Sequence, residues 1–134
     1  MEALSKIQLP HLDALTLRGA KRLDAITFTL GTRETYHYGG NGGSPVTLEL
    51  GTNEFITKVE LCDAVYSWWR GNRRIFYMEA FTNIEGKGIK MGDKSKHSNV
   101  ACTTINVPSG RAIVGAFGRS GDEIDQLGFI TAPR

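Results

Sequence analysis

Apolar and polar residues alternate with a period of two along most of this chain, and the alternating runs are cut short by Gly, Asn and Pro at close intervals. Only an extended strand puts successive side chains on opposite faces, so the pattern predicts half-buried antiparallel strands and leaves little length for helices. Ile26, Phe28 and Leu30 alternate with Ala25, Thr27 and Thr29, and Val46, Leu48 and Leu50 alternate with Thr47 and Glu49. Phe55, Val59 and Leu61 share a parity with Thr57. Each set reads as the buried face of a strand. Further strands are expected at residues 34–38, 74–83, 101–107, 111–119 and 124–130, for about ten short strands in all.

That many strands in 134 residues makes an all-β fold and requires a sandwich, a barrel or another closed arrangement of small sheets. One open sheet of that width would leave unpaired edges and an uncovered apolar face. The length suits a single domain, residues 1–134, large enough to bury a core without metals or cross-links. Cys62 and Cys102 each sit in an apolar, strand-like segment; two buried thiols are expected in preference to a bridge, and a disulfide-based fold is excluded.

Charge points to no particular partner. Sixteen Lys and Arg nearly balance 14 Asp and Glu, and the densest cationic group, Arg70, Arg73 and Arg74, stands beside Trp68 and Trp69. Without a basic stripe to neutralise phosphates, nucleic acid is not an expected ligand. Residues 1–8 carry no secretory pattern, and no apolar run approaches the roughly 20 residues that span a bilayer. No transmembrane segment is expected, and the chain reads as cytoplasmic or as a mature fragment of a secreted protein.

One stretch of the sequence has an echo near its other end. Arg18-Gly-Ala-Lys-Arg-Leu-Asp24-Ala-Ile-Thr-Phe28 aligns without gaps on Arg119-Ser-Gly-Asp-Glu-Ile-Asp125-Gln-Leu-Gly-Phe129, matching at the Arg, the Asp and the Phe. Both copies put an Asp where a loop runs into a strand, so the domain looks built from repeated strand units. An Asp there has a structural use, accepting backbone N–H groups of the turn. It also has a chemical one: a carboxylate accepts hydrogen bonds from two adjacent sugar hydroxyls while nearby backbone N–H groups donate to their oxygens.

The segment Gly39-Gly40-Asn41-Gly42-Gly43 supplies unshielded backbone N–H groups between two strands. No helix starting with Lys-Ser or Lys-Thr follows it, which disfavours a phosphate loop and leaves a flexible hairpin or a donor cradle for a neutral polar ligand. Asp122, Glu123 and Asp125 lie close together, but they lack the regular alternation of calcium loops and the opposed carboxylates of a glycosidase. His11, His37 and His97 are too dispersed to form a metal site. Tyr66, Trp68 and Trp69 lie in an Arg-rich connection, where they cover one end of the core or present a stacking surface.

Four segments, LDAITFTL (23–30), ETYHYGGNGGSP (34–45), EFITKV (54–59) and GRAIVGAFGRSGDEID (110–125), resemble the jacalin-related, mannose-binding type lectins, in order and over nearly the whole chain. The resemblance implies a β-prism I of three four-stranded Greek-key sheets about a pseudo-threefold axis. It implies a carbohydrate-binding lectin for mannose- or glucose-type glycoconjugates, with no catalysis, no cofactor and no metal. Its primary site would be the loop through Gly121, with Asp125 as acceptor and Asp122 and Glu123 offering backbone N–H groups. Its second site would use Asp24, the backbone of Lys21 and Arg22, and Gly42 and Gly43. Two departures stand out: residues 4–12 contain no Gly-rich loop, which removes donors from the primary site, and Lys21 and Arg22 add two cations to the second, altering affinity or turning it toward acidic sugars. Weak single-site affinity would be raised by a homodimer or by a host protein with several modules. The competing expectation is a β-prism that has lost sugar binding and uses Trp68 and Trp69 against a protein or membrane partner.

Overall fold

The alternating runs form strands in a computed structural model, which describes residues 11–20, 22–67, 72–93, 100–120 and 124–134. The strands are β1 (Leu12–Gly19), β2 (Leu23–Leu30), β3 (Thr35–Gly39), β4 (Ser44–Glu49), β5 (Ile56–Ser67), β6 (Asn72–Thr82), β7 (Gly88–Met91), β8 (Ala101–Asn106), β9 (Arg111–Ser120) and β10 (Ile124–Pro133). Among the described residues there is no helix, and every strand pairing is antiparallel. Periodicity did not single out β1 or β7. A register shift between Leu12 and Ala14 interrupts the alternation of β1, and β7 has only 4 residues, too few for a period to register.

Two sheets are four-stranded, in the orders β3-β2-β1-β4 and β7-β6-β5-β8, and the third pairs β10 with β9. In each four-stranded sheet the last strand returns to lie beside the first, which is Greek-key order. The expected four strands per sheet are therefore present in two sheets, while the third has two strands among the described residues. A single apolar cluster draws from all three: Leu15 and Leu17 of β1, Phe28 of β2, Val59 of β5, Met78 of β6 and Ile113 of β9. Tyr38 ties the first sheet to the third. Its ring stands edge-on to Phe28 and its hydroxyl donates to the Ala116 carbonyl.

Three local expectations are corrected. Thr57 is an extra residue, because Ile56 pairs with Thr82 and Lys58 with Phe81; this bulge turns Ile56 into the core at 1% exposure, alongside Val59, so Phe55 does not share the buried face. Val46 is 41% exposed although it stands opposite the buried Leu17, since β4 is the edge strand of its sheet. Cys62 and Cys102 are joined by a disulfide rather than left as thiols. They stand directly opposite each other on β5 and β8, and partners facing across an antiparallel pair have adjacent Cβ atoms.

The loop leading into β5 is tied to the β6–β7 hairpin by Glu54. Lys87 donates to one carboxylate oxygen and the Gly51 N–H to the other at 3.0 Å. The Lys87 hydrogen bond foremost, then that of Gly51, holds the Glu54 carboxyl below its usual range.

Candidate functional site

At the end of the β1–β2 hairpin, Arg18 pairs with Ala25 and Gly19 with Leu23, which leaves Asp24 as an extra residue. In the β9–β10 hairpin, Arg119 pairs with Gln126 and Ser120 with Ile124, which leaves Asp125 extra in the same way. The sequence repeat is thus a repeat of one device, an Asp at the bulge that closes a hairpin. Bulges re-aim side chains. Here Leu23 at 1% and Ile26 at 0% exposure both face the core although three residues apart, and Asp24 drops out of the alternation between them.

The Gly-rich loop closes over Asp24. The Gly40 N–H donates to the Asp24 carbonyl at 3.2 Å, and a Cβ on Gly42 would lie 3.0 Å from Asp24 Oδ2. The other carboxylate oxygen, Oδ1, is 3.8 Å from Arg22 Nε, in a pair whose side chains are 44% exposed for Arg22 and 17% for Asp24. Among the described residues no backbone N–H donates to this carboxylate, and its Oδ2 lies against the Gly42 backbone. His37 braces the loop from β3, with Nδ1 2.7 Å from Thr27 Oγ1 and Nε2 3.1 Å from the Gly40 carbonyl.

Two of these glycines are obligatory. Gly43 has φ 69°, and a Cβ there would come within 2.5 Å of Gly19 Cα. Gly39 has φ 104°, and its Cβ would meet the Asp24 carbonyl oxygen at 2.2 Å. Gly43→Ala is therefore expected to push the loop off the β1–β2 hairpin and destabilise the fold by about 1–3 kcal/mol, from left-handed strain plus the clash. Thermal unfolding would check it, and an unchanged midpoint would show that the loop does not need this close approach.

Arg18 completes the loop's support, and no role had been assigned to it although it heads the repeat. One terminal guanidinium nitrogen donates to the Asn41 carbonyl at 3.3 Å and to the Gly43 carbonyl at 3.1 Å. Its Nε is buried and has no hydrogen-bond partner among the described residues.

Of the candidate residues, the structure brings Arg22, Asp24, Gly42 and Gly43 together. Lys21, Gly121, Asp122 and Glu123 lie outside the described residues, as do Trp68, Trp69, Arg70 and His97, and Asp125 is described in its backbone alone. His11 stands at the far end of β1, 3.1 Å from Asp13. Glu60 lies close to Cys62 and Cys102, but the bridge uses both sulfurs and leaves no thiolate ligand there.

A family model described as "Jacalin-like lectin domain" matches residues 5–130. A Malaysian banana lectin is similar over 92% of this chain and 84% of its own, at 28% identity and a TM-score of 0.71. A mannose-binding jacalin-related lectin from Ananas comosus is 20% identical over 96% of this chain and 87% of its own, with a TM-score of 0.69. Artocarpin, in complex with mannotriose, is 18% identical over 90% and 83%, with a TM-score of 0.72.

Proposed function

Given that the chain belongs to the jacalin-like lectin domain family, we propose that it is a lectin for mannose- or glucose-type glycans that binds through Asp24 and the Gly-rich loop and performs no chemistry on them. The observation that carries this reading is the Asp24 carboxylate, largely buried at 17% side-chain exposure yet without a backbone donor among the described residues, set against the Gly42 backbone. A sugar needs that pairing. Two vicinal hydroxyls donate to the carboxylate oxygens, and peptide N–H groups donate to hydroxyl oxygens, so each partner lost from water is replaced. The lectin character of the family and the mannose-binding relative support the sugar class.

In the same reading the loop from Gly121 through Asp122, Glu123 and Asp125 is a second site of the same kind, supported by the identical bulge position of Asp24 and Asp125. The fold is a β-prism whose third sheet completes a pseudo-threefold set, the whole of 1–134 forming one domain, and a homodimer or a multi-module host supplies avidity.

A glycan array on the purified protein tests this. Saturable binding to mannose- or glucose-terminated glycans, competed by methyl α-mannoside, is the expected result. A blank array on folded protein would reject it in favour of a β-prism that acts through protein or membrane contacts.

A further inference from the structure

We propose that Arg18 is a positioning residue for the sugar site, kept at the expense of stability in order to aim the Gly-rich loop. This rests on the carbohydrate-binding reading of Asp24 and names what holds its donors in place. Arg18 points out from β1 between Ala25 of β2 and Pro45 of β4, its partners in register. From there its guanidinium reaches the carbonyls of both Asn41 and Gly43. Every described peptide bond is trans, and in a trans peptide the C=O and the following N–H point in opposite directions. Holding the Asn41 carbonyl against Arg18 therefore turns the Gly42 N–H away from Arg18. Glycine at 42 leaves one of the two dihedrals that turn this peptide free of side-chain restraint, and the contact with Arg18 fixes what that freedom leaves open.

The second observation separates positioning from simple structural support. Arg18 Nε is buried and has no partner among the described residues, a penalty that an apolar side chain of similar length would not incur. Unfavourable local choices of this kind collect at functional sites. The alignment of Arg18 with Arg119 places an Arg at the same pre-bulge position of both hairpins.

The test is Arg18→Met, made in an Asp125→Ala background so that only the Asp24 site is read, with methyl α-mannoside titrated calorimetrically and unfolding followed by differential scanning calorimetry. The expected result is an affinity about 10-fold weaker with a midpoint equal to or above that of the parent. An unchanged affinity overturns the proposal, whatever happens to the midpoint. Affinity and midpoint falling together also overturn it, because loss of structural support then accounts for both. If the parent itself binds no mannoside while remaining folded, the carbohydrate reading of the Asp24 site fails, and the role given to Arg18 fails with it.

Discussion

Asp24→Ala is expected to weaken sugar binding at the Gly-rich loop by at least about 100-fold while leaving the protein folded. In the proposed complex the carboxylate accepts two charge-assisted hydrogen bonds, each worth roughly 1.5–3 kcal/mol, and about 2.7 kcal/mol is already 100-fold in Kd. The fold loses little. The turn bond from Gly40 goes to the Asp24 carbonyl, not to its side chain, and the described partner of the carboxylate is Arg22 Nε at 3.8 Å with a side chain 44% exposed. A contact that long to a half-exposed arginine contributes at most about 1 kcal/mol, so the unfolding midpoint should move by no more than a few degrees. Isothermal titration with methyl α-mannoside in an Asp125→Ala background, paired with a thermal melt, reads both quantities. Loss of folding would instead identify Asp24 as a turn-capping residue, and full retention of binding would move the site elsewhere. The same substitution at Asp125 should silence the other hairpin in the same manner.

The second large effect concerns the bridge between β5 and β8. Replacing Cys62 and Cys102 together by Ala is expected to destabilise the domain by about 4 kcal/mol, because the link closes a loop of 40 residues and the chain-entropy relation gives that magnitude. For a chain of this size the midpoint should fall on the order of 10 °C. Treatment of the wild-type protein with a reductant should reproduce most of the shift. Sugar binding at Asp24 should survive in the variant, since Asp24 belongs to the sheet of β1–β4 and the bridge lies in the sheet of β5–β8. A midpoint within about 2 °C of wild type would mean that the unfolded chain gains little freedom when the link is cut.

The repeat headed by Arg18 and Arg119 shows how far local sequence information reaches. Its gap-free alignment was visible in the letters, and in the structure it corresponds to two hairpins that close with the same register and the same extra Asp. The Gly-rich segment was legible as a donor-rich loop, and the family resemblance grouped Gly42 and Gly43 with Asp24, but the contacts that seat the loop on the β1–β2 hairpin were not legible. That seat depends on Gly39, Gly43 and Gly19 coming into contact, which a single strand's pattern does not encode. Arg18 was likewise visible as a repeated letter without a role, because its partners are the carbonyls of Asn41 and Gly43, and every residue has a carbonyl.

By itself the sequence determined that the chain is built of short antiparallel strands, where most of them run, and which Asp and Gly residues stand at their ends. These follow from the two-residue period and from turn chemistry, which act over a few neighbouring residues. The tertiary structure alone decided which strands pair and what the pairing brings together. It set Cys62 opposite Cys102, inserted the bulge at Thr57 that turns Ile56 inward, left Val46 exposed on an edge strand, and made the close contacts of Gly39 and Gly43 that seat the Gly-rich loop. The physical reason is that strand pairing joins residues tens of positions apart, where the outcome is selected by burial of one shared core rather than by any local preference.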